Sequence, residues 1–275
     1  MGQNRKKRIF IWISVLIVLL GFCYYEDNHL VVSTYTIESE KLAEEFDGYK
    51  IVQISDFHNT SFGVKNKRLL KKIKNEKPDM LVITGDLVDS NRVNISVAVD
   101  FVEEAVKICP VYYVTGNHER SLPETQRKEL FQKLEQAGAV LLLDKTTEIR
   151  REDASFTLIG LDDGSIYDNT LLKLTEEIEE EQFRLVLAHE PQGIRHYALG
   201  GADLVLCGHA HGGQFRIPFI GSVYAPGQGF FPKLTNGEHE SGDTKMIISR
   251  GLGNSVIPVR LLNNPEIVVV TLKAQ

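Results

Sequence analysis

Two histidines stand one residue apart in the stretch Cys207-Gly208-His209-Ala210-His211-Gly212-Gly213. The run that leads into it, Ala202 to Cys207, is apolar without helical spacing, which is typical of a buried strand. Gly208 allows the chain to turn there, and the two glycines that follow leave space around the imidazoles. Because a lone His-x-His pair is weak evidence of a metal site, the prediction depends on which other segments converge on it.

Strands that end in polar residues also occupy the first half of the chain. Predicted strands cover 49–55, 80–84 and 111–115, and amphipathic helices cover 65–76 and 95–108 between them. This alternating order predicts parallel strands joined by right-handed crossovers. The carboxyl ends of the strands then lie on one edge of the sheet, where ligands of such sheets bind.

The second half is predicted to be rich in strands and to have few crossover helices. One strand, Phe183 to Ala188, again ends in a histidine, His189. Further helices are expected at 124–137 and 171–181, and further strands at 31–37, 139–143, 146–151, 155–161, 214–224, 245–249 and 266–272. The expected architecture is therefore an α/β fold in which two packed sheets are flanked by helices.

Five of these strand ends carry side chains of the kinds that bind metal ions. Each has an ordinary alternative role, such as a helix cap for Asp56 or a hydrogen-bonded core residue for His189. Convergence of all five segments on one place favours the metal-binding interpretation. The set offers carboxylate, imidazole and amide groups without a thiolate, which suits manganese first, with zinc or iron as alternatives. The candidate ligands are Asp56, His58, Asp86, Asn117, His189, His209 and His211.

Asp86 is the natural bridge between two ions, because a carboxylate can give one oxygen to each. Two divalent ions about 3.5–4 Å apart are the usual apparatus for in-line displacement at phosphorus. His118 directly follows Asn117, and we expect it to stabilise the transition state or to protonate the leaving oxygen. Asp89 and Glu119 are expected to contact and orient the ligands without binding metal themselves.

Two arginines near the histidine stretch are candidate contacts for a substrate. Arg216 and Arg250 are placed to hold a phosphate or a lipid head group, although an ordinary structural ion pair is the alternative for each. The net charge of -6, without a basic stripe interleaved with aromatic residues, argues against a nucleic-acid partner. The sequence predicts no particular oligomeric state.

The amino-terminal segment is typical of a membrane anchor. Basic residues at 5–8 precede a run without charge at 9–25, which as a helix would be about 26 Å long, near the lower limit for crossing a bilayer. A cleaved signal peptide would need a small-x-small site, which 20–27 does not supply, so we favour an uncleaved signal anchor. Only acidic charges occur in 26–40, and this asymmetry predicts a cytoplasmic amino terminus with the large domain outside.

Five short motifs, taken in order, resemble those of the calcineurin-like metallophosphoesterase superfamily. They are Asp-x-His at 56–58, Gly-Asp-x-x-Asp at 85–89, Gly-Asn-His-Glu at 116–119, the isolated His189 and Gly-His-x-His at 208–211. The resemblance extends over residues 49 to 272 and implies a four-layer α/β/β/α sandwich with two mixed sheets. The chain would then divide into a basic segment (1–8), a transmembrane anchor (9–25), a linker with the first strand (26–48) and the phosphoesterase domain (49–275).

The resemblance also implies a role for each candidate residue. His118 would be the catalytic histidine, and a hydroxide bridging the two ions would attack phosphorus and break a P–O bond. One ion would be held by Asp56, His58, Asp86 and His211, and the other by Asp86, Asn117, His189 and His209.

A finer resemblance is to the membrane-associated branch of YaeI and YkuE, which includes phosphodiesterases and the UDP-2,3-diacylglucosamine hydrolases of lipid A synthesis. It is carried by the anchor, by the continuous motif at 208–218, and by the segments 249–253 and 258–261. The expected function is a membrane-anchored phosphodiesterase or pyrophosphatase that acts on a lipid or cell-envelope substrate. The alternatives are the lipid A pyrophosphatase, whose reaction is cytoplasmic and so conflicts with the predicted topology, and a non-catalytic metal-binding scaffold.

Overall fold

Two six-stranded sheets pack face to face in the computed structural model, which describes residues 2–254 and 259–275. Pro258, the first residue of one motif quoted above, lies outside the described residues. The strands of the first sheet, in spatial order, are β1 (Val31–Ser39), β16 (Glu266–Ala274), β2 (Lys50–Ile54), β3 (Met80–Thr84), β4 (Val111–Val114) and β5 (Val140–Leu141). Strands β2 to β5 are parallel to one another, as the alternating order predicts.

Helices cover the outer face of the first sheet. They are α2 (Lys67–Glu76), α3 (Ile95–Ala105), the short α4 (Asn117–Arg120) and α5 (Glu124–Gln136). Their apolar faces bury Leu69, Phe101 and Leu130 against the sheet in one hydrophobic cluster. Since each crossover places its helix on this side, the opposite face is left free to meet the second sheet.

The second sheet is also mixed. Its strands, in spatial order, are β14 (Gly237–Ser241), β15 (Thr244–Ile248), β9 (Leu204–Cys207), β8 (Arg184–Leu187), β7 (Ala154–Gly160) and β6 (Lys145–Arg151). Helices α6 (Thr170–Thr175) and α7 (Ile194–Leu199) cover its outer face and bury Leu171 and Tyr197 there. The predicted four layers, helix, sheet, sheet and helix, are confirmed.

A buried hydrogen bond joins the two sheets beside the strand ends that carry polar residues. Apolar side chains from both sheets fill the space between them. Within this layer the fully buried Gln53 donates through Nε2 to Thr84 Oγ1 and to the carbonyl oxygen of Cys207, each at 2.9 Å. Because Thr84 ends β3 and Cys207 ends β9, this contact holds the carboxyl ends of strands from the two sheets against each other.

The predicted strand at 214–224 was wrong, because the segment forms two short hairpins. Gln214 and Phe219 have φ values of 50° and 67°, which an extended strand cannot contain. The hairpins consist of β10 (Arg216–Ile217) with β11 (Gly221–Ser222), and β12 (Tyr224–Ala225) with β13 (Gly229–Phe230).

The predicted helix at 171–181 was too long, since α6 ends at Thr175. The Thr175 hydroxyl turns back and donates to the carbonyl oxygens of Leu171 and Leu172. The glutamates that follow would place negative charge at the carboxyl end of a helix, where the helix dipole disfavours it.

The amino-terminal helix α1 (Gly2–Asn28) is long and apolar enough to cross a membrane. Its side chains from Ile9 to Leu20 are largely exposed, as expected for a segment without a protein partner. Its last turn differs, because Glu26 is 5% exposed and lies against the globular domain. Strand β1, two residues after the helix, joins the edge of the first sheet by pairing in parallel with β16.

Candidate metal centre

All seven candidate ligands lie where strands of the two sheets end, and six of them are buried. Among the described residues three groups of side chains have ligand atoms within 4.8 Å of one another; two of them contain Asp86, and the third is His58, Asp89 and His118. The first group is Asp56, His58, Asp86 and His211, and the second is Asp86, His189 and His209.

The atoms of the first group point at a common centre. His58 Nε2 lies 3.2 Å from His211 Nε2 and 3.6 Å from Asp86 Oδ2. His211 Nε2 lies 3.3 Å from Asp56 Oδ1. Ligands bound to one cation at about 2.1 Å would be about 3.0–3.4 Å apart, so two of these separations fit a shared cation and the third is slightly longer.

The second group shares the same carboxylate oxygen. His189 Nε2 lies 3.2 Å from each of three atoms: Asp86 Oδ2, Asn117 Oδ1 and His209 Nδ1. Two acceptor nitrogens of neutral imidazoles would repel each other at this distance unless a proton or a cation lay between them. The donor set therefore fits a second divalent ion, with Asp86 Oδ2 beside both centres.

Hydrogen bonds on the far side of two imidazoles direct the other nitrogen inward. His189 Nδ1 lies 2.8 Å from the carbonyl oxygen of Thr84, and His211 Nδ1 lies 3.3 Å from that of Gly253. A carbonyl can only accept, so both Nδ1 atoms carry a proton and each Nε2 is the nitrogen that is left to bind a metal ion. This is the arrangement that metal-binding histidines show in known sites.

Burial keeps three of the imidazoles in the neutral form that binds metal. It lowers the pKa of His58 and of His211 to about 3 each, and it also lowers the pKa of His209. For His189 burial acts in the same direction, but the Asp86 carboxylate outweighs it and raises the pKa above its usual value. A divalent ion at this place would replace the proton that His189 shares with Asp86.

The backbone is strained at five of the seven candidate ligands. They have positive φ values, between 47° and 68°, which non-glycine residues seldom adopt and which cost about 1–3 kcal/mol each. The five are Asp56, His58, Asp86, His209 and His211. Such strain concentrated at one place is typical of a functional site, where side-chain direction outweighs local stability.

His118 lies beside the first group without joining it. Its ring packs edge-on against the ring of His58, with centroids 4.4 Å apart. The backbone N–H of Ser90 donates to His118 Nδ1 at 3.0 Å, and Asp89 Oδ1 lies 3.6 Å from the same nitrogen. Because Nδ1 accepts this bond, the neutral ring carries its proton on Nε2. Ser90, which no motif indicates, also places its hydroxyl 3.1 Å from His118 Nδ1.

The two residues expected to support the ligands do so by different contacts. Glu119 accepts backbone N–H bonds from Asp86, Val88 and Gly116 at 2.8–3.0 Å. Burial, followed by the charge of Asp86, raises the pKa of Glu119 to about 8, while the Val88 and Gly116 amides act against this rise. Asp89 contacts His118, as above, and accepts from Arg92 Nε at 3.0 Å. Both residues thus hold loops that carry candidate site residues.

The two candidate substrate-binding arginines make internal contacts. Arg216 donates to the carbonyl oxygen of Gly212 and to Ser222 Oγ, both at 3.1 Å. Arg250 forms an ion pair with Glu266 at 3.0 Å. The contacts of Arg216 support the histidine loop from its outer side.

Removal of metal is expected to lower thermal stability. Without cations the centre buries two carboxylates and four imidazoles whose acceptor atoms face one another. Bound metal at 1,000 times its dissociation constant would stabilise the native state by about 4 kcal/mol. For a domain of this size EDTA should therefore lower the melting temperature by about 10 °C, and excess Mn²⁺ should restore it. An unchanged melting temperature in protein shown to be metal-free would contradict the assignment.

Comparison with known proteins identifies the family. A family model described as calcineurin-like phosphoesterase matches residues 49–213. An uncharacterized metallophosphoesterase of Bacillus subtilis, YkuE, is 30% identical over 269 residues, which cover 92% of this chain and 90% of the relative. An uncharacterized metallophosphoesterase of Aquifex aeolicus is 30% identical, with coverages of 94% and 98%. The phosphodiesterase YaeI of Escherichia coli is 28% identical over 82% of each chain. The chain therefore belongs to the calcineurin-like phosphoesterase family, in the branch of YkuE and YaeI, and is a metal-dependent phosphoester hydrolase.

Proposed function

We propose that this chain is a membrane-anchored phosphodiesterase with two divalent ions at the candidate metal centre. The observation that carries the proposal is the pair of ligand groups that meet at Asp86 Oδ2, with His118 beside them. Oxygen and imidazole donors without a thiolate favour manganese. The seven residues that we propose as ligands are Asp56, His58, Asp86, Asn117, His189, His209 and His211.

Two ions bound there would supply a water molecule of lowered pKa and would neutralise the charge of the phosphate. Among the protein's own groups, Asp86 belongs to both ligand groups, since its Oδ2 lies 3.6 Å from His58 Nε2 and 3.2 Å from His189 Nε2. His118 presents its Nε2 proton to a phosphate or leaving-group oxygen, since Ser90 occupies Nδ1. In that position it stabilises the negative charge that develops as the P–O bond breaks.

A cleft beside His58 and Asp89 supports a diester substrate. Its volume is about 360 Å³, and its other lining residues are Asn59, Thr60, Arg92, Asn94 and Asn254. Its groups are mainly amides and a hydroxyl, because Asp89 pairs with the Arg92 guanidinium. Among the described residues the cleft therefore offers no free cation for a doubly charged monoester, and it leaves room for the second substituent of a diester. The similarity to a relative named as a phosphodiesterase, YaeI, points the same way.

The contacts of the last turn of α1 support an anchor that stays attached. Glu26 accepts a hydrogen bond from the backbone of Asn263, and Asp27 accepts one from that of Arg260. Glu26 and Asp27 are therefore part of the folded domain, and cleavage after them would remove these contacts. The charge asymmetry around 9–25 favours a domain outside the cytoplasm, and an alkaline phosphatase fusion at the carboxyl terminus tests this by its activity.

Hydrolysis of bis(p-nitrophenyl) phosphate, with p-nitrophenyl phosphate as the monoester, tests the proposed function. The full chain should cleave the diester in the presence of Mn²⁺ and lose this activity in EDTA. Metal-loaded protein that cleaves neither compound would contradict the proposal.

The variant His118→Gln is expected to lower kcat for the diester by about 10²–10³-fold, because a positioned proton donor contributes on that scale. Its metal content should remain that of the wild type, since His118 is in neither of the two groups that contain Asp86. His239→Gln, on β14, is the matched control and should keep full activity. Loss of metal together with activity in His118→Gln would show that His118 is a ligand instead.

A further inference from the structure

The end of α1 is hydrogen-bonded to the loops that hold the metal centre. Asn263 N donates to Glu26 Oε2 at 3.0 Å, and Asn263 Nδ2 donates to the carbonyl oxygen of His211 at 2.6 Å. On the neighbouring loop, Asn254 Nδ2 donates to Asp27 Oδ1 at 3.1 Å. Two hydrogen bonds therefore connect the end of the apolar helix to a proposed metal ligand.

Arg260 makes this connection firm. Its side chain is fully buried and donates to the carbonyl oxygens of Arg250 and Gly253, while its backbone N–H donates to Asp27 Oδ1 at 2.8 Å. A buried guanidinium whose hydrogen bonds are satisfied in this way leaves little freedom between the helix end and the loop. The helix therefore sets the orientation of the catalytic face and does not act as a loose tether.

The mouth of the cleft lies at the level of lipid headgroups when α1 spans a bilayer. The apolar run ends at Tyr25, and Glu26 to Asn28 add about 4.5 Å along the axis. The headgroup layer on each side of a bilayer is about 5–8 Å deep. Asn254, which bonds to Asp27, also lines the cleft beside His58.

An exposed apolar surface lies next to the same loops. At the tip of the β10–β11 hairpin the side chain of Phe219 is completely exposed, and Ile220 is 63% exposed. A groove of about 460 Å³ separates this tip from Leu262, the residue before Asn263. The backbone N–H of Arg216 donates to the carbonyl oxygen of Leu261, and that of Leu261 donates to the carbonyl oxygen of Gln214, which joins the hairpin to that segment.

Basic residues adjoin the helix end on another side. Arg68 donates to the carbonyl oxygen of Asn28 at 3.1 Å. Lys65 and Lys67 are exposed beside it. Val64, which directly precedes Lys65, is 77% exposed. Positive charges together with exposed apolar side chains are the combination that binds the interface of an anionic membrane.

We propose that the hairpin tip Pro218–Ile220 and the basic segment 64–68 rest in the headgroup layer of the membrane that α1 crosses, so that the catalytic cleft opens onto lipid phosphates. The partner is the bilayer itself, and the substrate class is a phosphodiester in a lipid headgroup. The substrate class rests on the proposed function. The membrane contact rests only on the geometry of α1 and the surfaces beside it.

Tryptophan quenching in nanodiscs tests the contact. The chain has one tryptophan, Trp12, so the probes Phe219→Trp and Asn94→Trp are made in a Trp12→Phe background. The full chain is reconstituted in phosphatidylcholine and phosphatidylglycerol that carry nitroxide labels in the acyl chain or on the headgroup. Leu199→Trp, at an exposed apolar position on α7, is the matched control.

We expect acyl-chain labels to quench the tryptophan of Phe219→Trp at least threefold more than that of Leu199→Trp. We expect headgroup labels to quench the tryptophan of Asn94→Trp at least threefold more than that of Leu199→Trp. Quenching of the two probes no stronger than that of the control would overturn the proposal. Ile220→Trp replaces Phe219→Trp if that variant does not fold. Hydrolysis of soluble bis(p-nitrophenyl) phosphate is measured on the Phe219→Trp and Leu199→Trp samples, because Asn94 lines the cleft. Quenching without hydrolysis would contradict the proposed function and support the membrane contact. Hydrolysis without quenching would support the proposed function and contradict the membrane contact.

Discussion

Replacing Asp86 with asparagine is expected to lower kcat for a phosphodiester more than about 100-fold and to remove metal from the protein. Substituting a residue that merely supports a ligand costs about 10–100-fold, and Asp86 is proposed as a ligand of both ions. Its Oδ2 faces His58 and His189 from opposite sides, while Oδ1 accepts the backbone N–H of His118. An asparagine of the same shape lacks the negative charge that two cations would share.

Metal content by mass spectrometry and diester hydrolysis should be measured together for Asp86→Asn. Asp203→Asn is a suitable control, because Asp203 lies at the opposite end of β9 and accepts from Arg184 and Lys41. The control should keep both metal and activity. An Asp86→Asn protein that retained two ions per chain and more than a tenth of the activity would contradict the bridging role.

The second large effect is expected from a single added methyl group in Gly208→Ala. A β-carbon at this position would lie 1.9 Å from Ser55 Oγ and 2.5 Å from Asp56 Oδ2. The Asp56 carboxylate also accepts the backbone N–H of His209, so its displacement would disturb two candidate ligands. Overpacking of this kind destabilises by about 1–3 kcal/mol, and a misplacement of about 1 Å can cost 100-fold in rate.

Gly242→Ala provides the comparison for that variant. Gly242 has a φ of 59°, so alanine is strained there, but no atom lies within 4 Å of the added carbon. We therefore expect a small loss of stability without loss of activity, as measured by thermal melting and diester hydrolysis. If Gly208→Ala were as active as Gly242→Ala, the close packing of the β9 turn against Asp56 would be unimportant for function.

The sequence was sufficient to predict how the strands deliver polar side chains. Each strand from β2 to β4 is a short, mostly buried run followed within three residues by a candidate ligand: Asp56, Asp86 or Asn117. Parallel order, inferred from the helices between them, then brings these ends to one edge. The candidate ligands could be predicted because each is a metal-binding residue type located just after a strand that the sequence pattern predicts.

Contacts made by the backbone, or between segments distant in sequence, were beyond sequence reasoning. Ser90 contacts His118 Nδ1 through its backbone N–H and its hydroxyl, and no residue pattern connects the two positions. The docking of Glu26 against Asn263 joins positions 237 residues apart, and the pattern of 9–25 describes only the apolar helix before it. The hairpin at Phe219 was assigned as one strand because apolar residues surround a turn whose φ values are set by tertiary contacts.

Anomalous diffraction from crystals of the Mn²⁺-loaded protein tests the two-metal centre most directly. We expect two peaks about 3.5–4 Å apart, on either side of Asp86. One should lie among Asp56, His58 and His211, and the other among Asn117, His189 and His209. A single peak, or peaks away from Asp86, in protein with full metal-dependent activity would contradict the account.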